Sequence, residues 1–254
     1  MEAARDRFAR DDMARVLEQT ERLDALPDAK VLLMGNSRMA AAVDASIWGG
    51  KTQNLGMAGA TPSLQMAWTR RWLERHAAPE EILLAVCPVD FSRRFPARER
   101  AGKYLQGPGD LPHLLRSGRI GAAEDALGYS LLPAFRYRTE LKDSLKRRPP
   151  VTLETPERME EKRTLPPGQV GIRDYTEAWL PVFEPDDDEA SALAELRDLC
   201  AHRHIQLTLV RLPISAELLA HESRVAGERF ERIVRAVGVP YSDFTQVPGN
   251  WTFS

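Results

Sequence analysis

One serine stands where it could attack a carbonyl. Ser37 lies in the turn Gly35-Asn36-Ser37-Arg38, directly behind the apolar run Val31-Leu32-Leu33-Met34. A serine on a strand-to-helix turn presents its hydroxyl outward and its backbone N–H beside a helix N-terminus. The hydroxyl can then attack an acyl carbon while N–H groups stabilise the oxyanion. The same position also suits a serine that only caps the helix behind it. A second turn, Asn54-Leu55-Gly56-Met57-Ala58-Gly59, follows another short strand-like run. Its glycines either bring backbone N–H groups close to a ligand or simply make the turn. A third turn, Cys87-Pro88-Val89-Asp90, closes the apolar run Ile82 to Val86. Gly56 to Gly59 is a weak phosphate cradle, since it lacks both the Gly-x-Gly-x-x-Gly spacing and a Walker lysine.

The elements that would carry these turns alternate. Residues 2–26 form a predicted helix with Phe8, Met13, Val16, Leu17, Leu23 and Leu26 at helical spacing. Predicted strands cover Lys30 to Met34, Thr52 to Leu55, Glu81 to Val86, Ile205 to Leu212 and Val239 to Phe244. Predicted helices between them run from Met39 to about Ile47, Ser63 to His76 with Ser63 as N-cap, Asp186 to His202, and Ser215 to Val237. The first and third of these strands are continuous apolar runs, the pattern of a parallel sheet buried on both faces. Strands alternating with helices imply right-handed crossovers and a flavodoxin-like three-layer α/β sandwich, five parallel strands in the order 2-1-3-4-5. Functional groups in such sheets gather at the carboxyl ends of the strands, where Ser37, Gly59 and Asp90 fall. Residues 92–185 break the rhythm with dense charge, prolines and glycines. They read as an insertion after the third strand, with helices over Leu111–Arg116, Ala122–Leu127 and Leu131–Leu145, expected to act as a lid or substrate wall. The whole chain is expected to be one domain, 1–254, with an N-terminal helix in 1–27.

The turn Gly35-Asn36-Ser37-Arg38 resembles the first block of the SGNH (GDSL) hydrolase superfamily, where a Gly-Asp-Ser motif directly follows the first strand. The variant here resembles the branch of sugar and polysaccharide O-acetyltransferases and related cell-envelope proteins, the alginate O-acetyltransferase-like group. The resemblance covers residues 28–91 and 190–247. It implies that Ser37 is the nucleophile, and that the backbone N–H groups of Ser37 and Gly59 form an oxyanion hole. Asn36, Arg38, Asn54 and Asp90 then act as substrate-contacting or scaffold residues. Two departures stand out. The family's third block, Gly-x-Asn-Asp, is Cys87-Pro88-Val89-Asp90, with Val89 in place of the asparagine donor. Losing such a donor removes about 3 kcal/mol of transition-state stabilisation. Arg38 is either a substitute donor or a partner of Asp90. The family's last block, Asp-x-x-His, carries the general base, and the chain is expected to stop just before it, at Trp251-Thr252-Phe253-Ser254. Of the five histidines, His76, His202 and His204 precede strands, on the amino side of the sheet. His113 lies in the insertion, and His221 lies more than a turn into a helix.

The expected activity is serine-dependent acyl transfer or ester hydrolysis, best on an O-acetyl ester of a carbohydrate, with an inactive SGNH-like binding or assembly module as the alternative. Two cysteines, Cys87 and Cys200, read as buried thiols rather than a disulfide. No Cys, His and carboxylate cluster has metal-ligand spacing, so neither metal nor cofactor is expected. With 35 basic against 37 acidic residues, the net charge of −2 offers no nucleic-acid surface. The N-terminus is charged and unlike a signal peptide, and no apolar run is long enough to span a bilayer. Composition fixes neither compartment nor oligomeric state.

Overall fold

The structure is a computed structural model, and it describes residues 11–57, 59–92, 111–116, 123–124, 127–128, 183–214, 219–220 and 222–245. The chain divides into two compact units, residues 19–98 with 174–254, and residues 1–18 with 99–173. The first of these holds the sheet. In chain order the elements are α1 (Asp11–Ala25), β1 (Val31–Met34), α2 (Ser37–Ala42), a 3₁₀ turn (Ala45–Trp48), β2 (Thr52–Asn54), α3 (Pro62–Arg75), β3 (Glu81–Ala85), a second 3₁₀ turn (Pro88–Phe91), α4 (Leu111–Arg116), α5 (Asp187–His202), β4 (Gln206–Arg211), α6 (Arg224–Val237) and β5 (Tyr241–Asp243). No described helix is long and apolar enough to cross a membrane.

The five strands pair in parallel in the order β2-β1-β3-β4-β5. Leu32, Leu33 and Met34 are all buried, so β1 is covered on both faces, as its unbroken apolar run requires. On one face Leu33, Ala85 and Val210 pack with Met39, Val43 and Ala45. On the other, Met34 Sδ meets the Thr69 hydroxyl of α3. Trp68 and Trp72 of α3 are fully buried. Burying each such ring stabilises the fold by roughly 2–3 kcal/mol.

Several local expectations change. The helix expected from Met39 to Ile47 is two pieces. Val43 is extended, Asp44 caps a new turn by accepting from Ser46 N–H, and Asn54 takes the freed Met39 and Val43 carbonyls. The N-cap of α3 is Thr61 rather than Ser63, because Pro62 suits the first helical position. The helix expected from Ser215 to Val237 has its main span start at Arg224, since Ser223 is extended and its hydroxyl accepts from Ala226 N–H. The ends of Thr52 to Leu55, Glu81 to Val86 and Val239 to Phe244 are trimmed by a residue or two. Ser92 and Pro185, the two ends of the segment read as an insertion, form an antiparallel bridge past the carboxyl end of β3. In the other unit, Leu114 and Ala123 are buried together against Leu111. The predicted helix Leu131–Leu145, residues 2–10 and most of 92–185 lie outside the described residues, as does any lid they would form.

Candidate active site

Ser37 is the first residue of α2, immediately beyond the carboxyl end of β1. As first helical residue, its N–H has no intrahelical acceptor. Its side chain is half-buried, and among the described residues no hydrogen-bond partner is found for its hydroxyl. The turn beneath it is rigid. Gly35 has φ +142, and a Cβ there would stand 2.7 Å from Ala85 Cβ, so no other residue fits without strain. The Gly35 carbonyl accepts from Met57 N–H at 3.0 Å and from Gln65 Nε2 at 2.8 Å. Those two bonds hold the loop after β2, and α3, against the loop after β1.

Gly59 sits two residues beyond Met57 with φ 73, half-buried, and no partner is found among the described residues for its N–H. Asn54 is fully occupied by scaffold. Its Nδ2 donates to the Met39 and Val43 carbonyls at 2.9 and 2.7 Å, and its Oδ1 accepts from Gly56 N–H at 2.9 Å. It therefore closes the C-terminal end of α2 and fastens it to β2. Gly56 passes so close to α2 that a Cβ would meet Ala40 N at 2.6 Å.

Asn36 and Asp90 are brought together, both nearly inaccessible to water. Asn36 Nδ2 donates to both Asp90 carboxylate oxygens at 3.2 Å and points toward Cys87 Sγ at 3.3 Å. Asn36 Oδ1 accepts from Arg38 N–H at 3.0 Å, which caps α2. Asp90 Oδ2 accepts from Cys87 N–H at 2.8 Å. Burial raises the Asp90 carboxyl to about 6, opposed by Asn36, by the Cys87 N–H and by the Arg38 charge. Burial, then the Asp90 charge, pushes the Cys87 thiol up to about 12. Arg38 is half-buried beside Ser37 and adds positive charge to this end of the sheet. Val89 is buried in the 3₁₀ turn and offers only an apolar side chain.

The described histidines stand elsewhere. His76 stacks on Trp72 with ring centroids 4.1 Å apart; its Nε2 lies 3.0 Å from the Leu23 carbonyl and its Nδ1 3.4 Å from Asp28. His202 ends α5 and His204 turns the chain into β4, both at the amino end of that strand. The His113 side chain and His221 lie outside the described residues. No group of three or more His, Cys, Asp or Glu among the described residues could hold a metal ion.

Two buried ionic features carry no motif. Glu189, in the first turn of α5, accepts from Ser63 N–H at 2.8 Å and from the Ser63 hydroxyl at 2.7 Å. It thereby caps α3, and burial raises its carboxyl to about 7. Arg211 pairs with Glu222 at 2.6 Å and Asp243 at 3.7 Å, with its guanidinium 5.4 Å from the centre of the Phe230 ring. The strand-end residues Arg211 and Asp243 thus hold β4, β5 and α6 together.

No family model and no curated protein matches the chain. Among solved structures, the chain is similar to a GDSL-like lipase from Bacteroides thetaiotaomicron, at TM-score 0.42 and 11% identity over 94% of this chain and 82% of that one. It is similar also to a "putative acylhydrolase" from Bacteroides fragilis, at TM-score 0.42 and 12% identity over 93% of this chain and 81% of that one.

Proposed function

We propose that the protein is a serine acyl-transfer enzyme, an esterase or O-acetyltransferase, with Ser37 as nucleophile. The observation that carries this reading is the placement of Ser37. It is the first residue of a helix at the carboxyl edge of a parallel sheet, with a hydroxyl that no described residue engages. A purely structural serine at that edge would be expected to bond its surroundings. Here Asn36 already does the capping, which leaves Ser37 for chemistry.

In this reading Ser37 Oγ attacks the acyl carbon and loses its proton to a base. The ester C–O bond breaks and the departing alcohol takes that proton. Water or an acceptor hydroxyl then removes the acyl group from Ser37. The N–H groups of Ser37 and Gly59 receive the oxyanion. Val89 contributes no donor, so the positive charge of Arg38 takes a larger share of the stabilisation. Serine requires a general base, and the reading assigns that role to a histidine outside the described residues. The substrate class is an O-acetyl ester of a carbohydrate, a choice that rests on the resemblance of Gly35-Asn36-Ser37-Arg38 to the acetyltransferase-like branch.

Hydrolysis of an aryl acetate by the full-length protein tests the reading. Ser37→Ala is expected to lower kcat/KM by about 10³-fold or more, the scale of removing a nucleophile from a hydrolase. Equal turnover by Ser37→Ala and the unmodified protein would refute it. Absence of any ester turnover, or of any covalent labelling of Ser37, would favour a non-catalytic module on this scaffold.

A further inference from the structure

We infer that Asp90 is a positioning residue for Ser37, acting through the side-chain amide of Asn36; this rests on the reading of Ser37 as nucleophile. The Asn36 Nδ2 faces two carboxylate oxygens at 3.2 Å, with the Cys87 sulfur at 3.3 Å. Its Oδ1 faces a donor, the Arg38 N–H, at 3.0 Å. Turning the amide over would set oxygen against carboxylate and NH₂ against N–H, so the contacts with Asp90 and with the Arg38 N–H would become repulsive. The carboxylate therefore dictates the amide's orientation. That orientation caps α2, and the cap fixes the first turn, where Ser37 stands.

Asp90 is anchored in turn by the Cys87 N–H at 2.8 Å. The result is a continuous strap from the end of β3 to the start of α2. Asn36, Cys87 and Asp90 are each 5% exposed or less, so little water competes for these bonds. Charge-assisted bonds in so dry a setting are the strong ones. Arg38 is the other charged group acting on Asp90, and it favours the ionised carboxylate that the strap needs.

The chemistry demands a carboxylate rather than an amide at position 90. Asn36 Nδ2 and Cys87 N–H both donate to it, and the Cys87 thiol is a further, weaker donor. An asparagine there has one acceptor oxygen and one NH₂, so one donor must face another donor. Exchanging the two residue types repairs this. With Asn36→Asp and Asp90→Asn together, the carboxylate at position 36 accepts from Arg38 N–H and from the amide at position 90. That amide's oxygen accepts from Cys87 N–H.

The test compares the unmodified protein, Asp90→Asn, Asn36→Asp and the double exchange. One readout is the rate of Ser37 labelling by a fluorophosphonate, and the other is hydrogen exchange of the Arg38 N–H followed by NMR. Each single substitution is expected to slow labelling and speed Arg38 exchange by about tenfold or more, the scale of one buried charge-assisted bond. The double exchange is expected to return both towards the unmodified protein, within about threefold, as a pairwise coupling requires. Asp90→Asn that labels like the unmodified protein overturns the inference while leaving Ser37 as nucleophile. A double exchange no better than either single one, with the fold intact by circular dichroism, overturns it too. An unmodified protein that does not label sinks the nucleophile reading instead, and Arg38 exchange then decides whether the strap exists.

Discussion

Replacing Glu189 by glutamine should change how stability depends on pH, and in a direction opposite to the usual carboxylate. Glu189 is 3% exposed and lies between the first turn of α5 and the start of α3. Its carboxyl is raised from 4.5 to about 7, first by burial, then by the Asp186 charge, against hydrogen bonds from Ser63 and Thr61. The folded state therefore holds this proton more tightly than the unfolded state does. The contribution is fully present below about 4.5 and is lost as pH rises through about 7. The displacement of two to three pH units corresponds to roughly 3 kcal/mol at 1.36 kcal/mol per unit. Glutamine keeps an acceptor for the Ser63 N–H and has no proton to lose. Between pH 4.5 and pH 8 the Glu189→Gln protein should thus gain roughly 3 kcal/mol relative to the unmodified one. Urea unfolding of both proteins at half-unit pH steps reads this directly. Taking the difference cancels the other titrations, including that of Asp90. A difference that stays flat with pH, or that moves against glutamine as pH rises, would refute the argument that burial dominates this site.

Other consequences are as specific. Burial holds the Cys87 and Cys200 thiols at about 12, so at pH 8 roughly one in 10⁴ is thiolate. Neither should react with DTNB over an hour in the native protein, and both should react at once in guanidinium; a native thiol titrating within minutes would contradict this. Gly35→Ala forces a left-handed φ and a 2.7 Å approach to Ala85, which should cost roughly 3 kcal/mol or more by chemical denaturation. Gly50→Ala meets nothing within 4 Å and should stay within about 0.5 kcal/mol of the unmodified protein. Equal losses at the two positions would count against the rigid turn beneath Ser37.

The parts of the fold that were legible are those where burial acts on consecutive residues. Leu32, Leu33 and Met34 are apolar in a row because both faces of β1 are covered, and that run marks the strand without any neighbour's help. That the strands pair in parallel follows from their alternation with helices, and the order β2-β1-β3-β4-β5 is the flavodoxin-like one of those such a chain can take. The position of Ser37 was legible for the same reason, since it needs only the end of β1 and the start of a helix. Pairings across the chain were not. Glu189 meets Ser63 from 126 residues away, and among Asp187, Asp188 and Glu189 nothing local distinguishes the buried acid from the exposed ones. Ser63 looked like a cap because caps are serines, yet Thr61 holds that place and Glu189 supplies the acceptor. Asn36 and Asp90 were both singled out, with Arg38 read as either a substitute donor or a partner of Asp90. The Asn36 amide bonds Asp90, a pairing set by the approach of two loops, and the Arg38 charge acts on the same carboxylate. The break at Val43 was hidden because helical apolar spacing continues across it, while Asn54 decides where the helix stops.

The most direct measurement is the site of covalent modification by a fluorophosphonate, mapped by mass spectrometry on the full-length protein. One equivalent on the peptide containing Ser37, absent from Ser37→Ala, is the predicted result. No adduct, or an adduct on a different residue that survives Ser37→Ala, would contradict the account of Ser37 as the nucleophile.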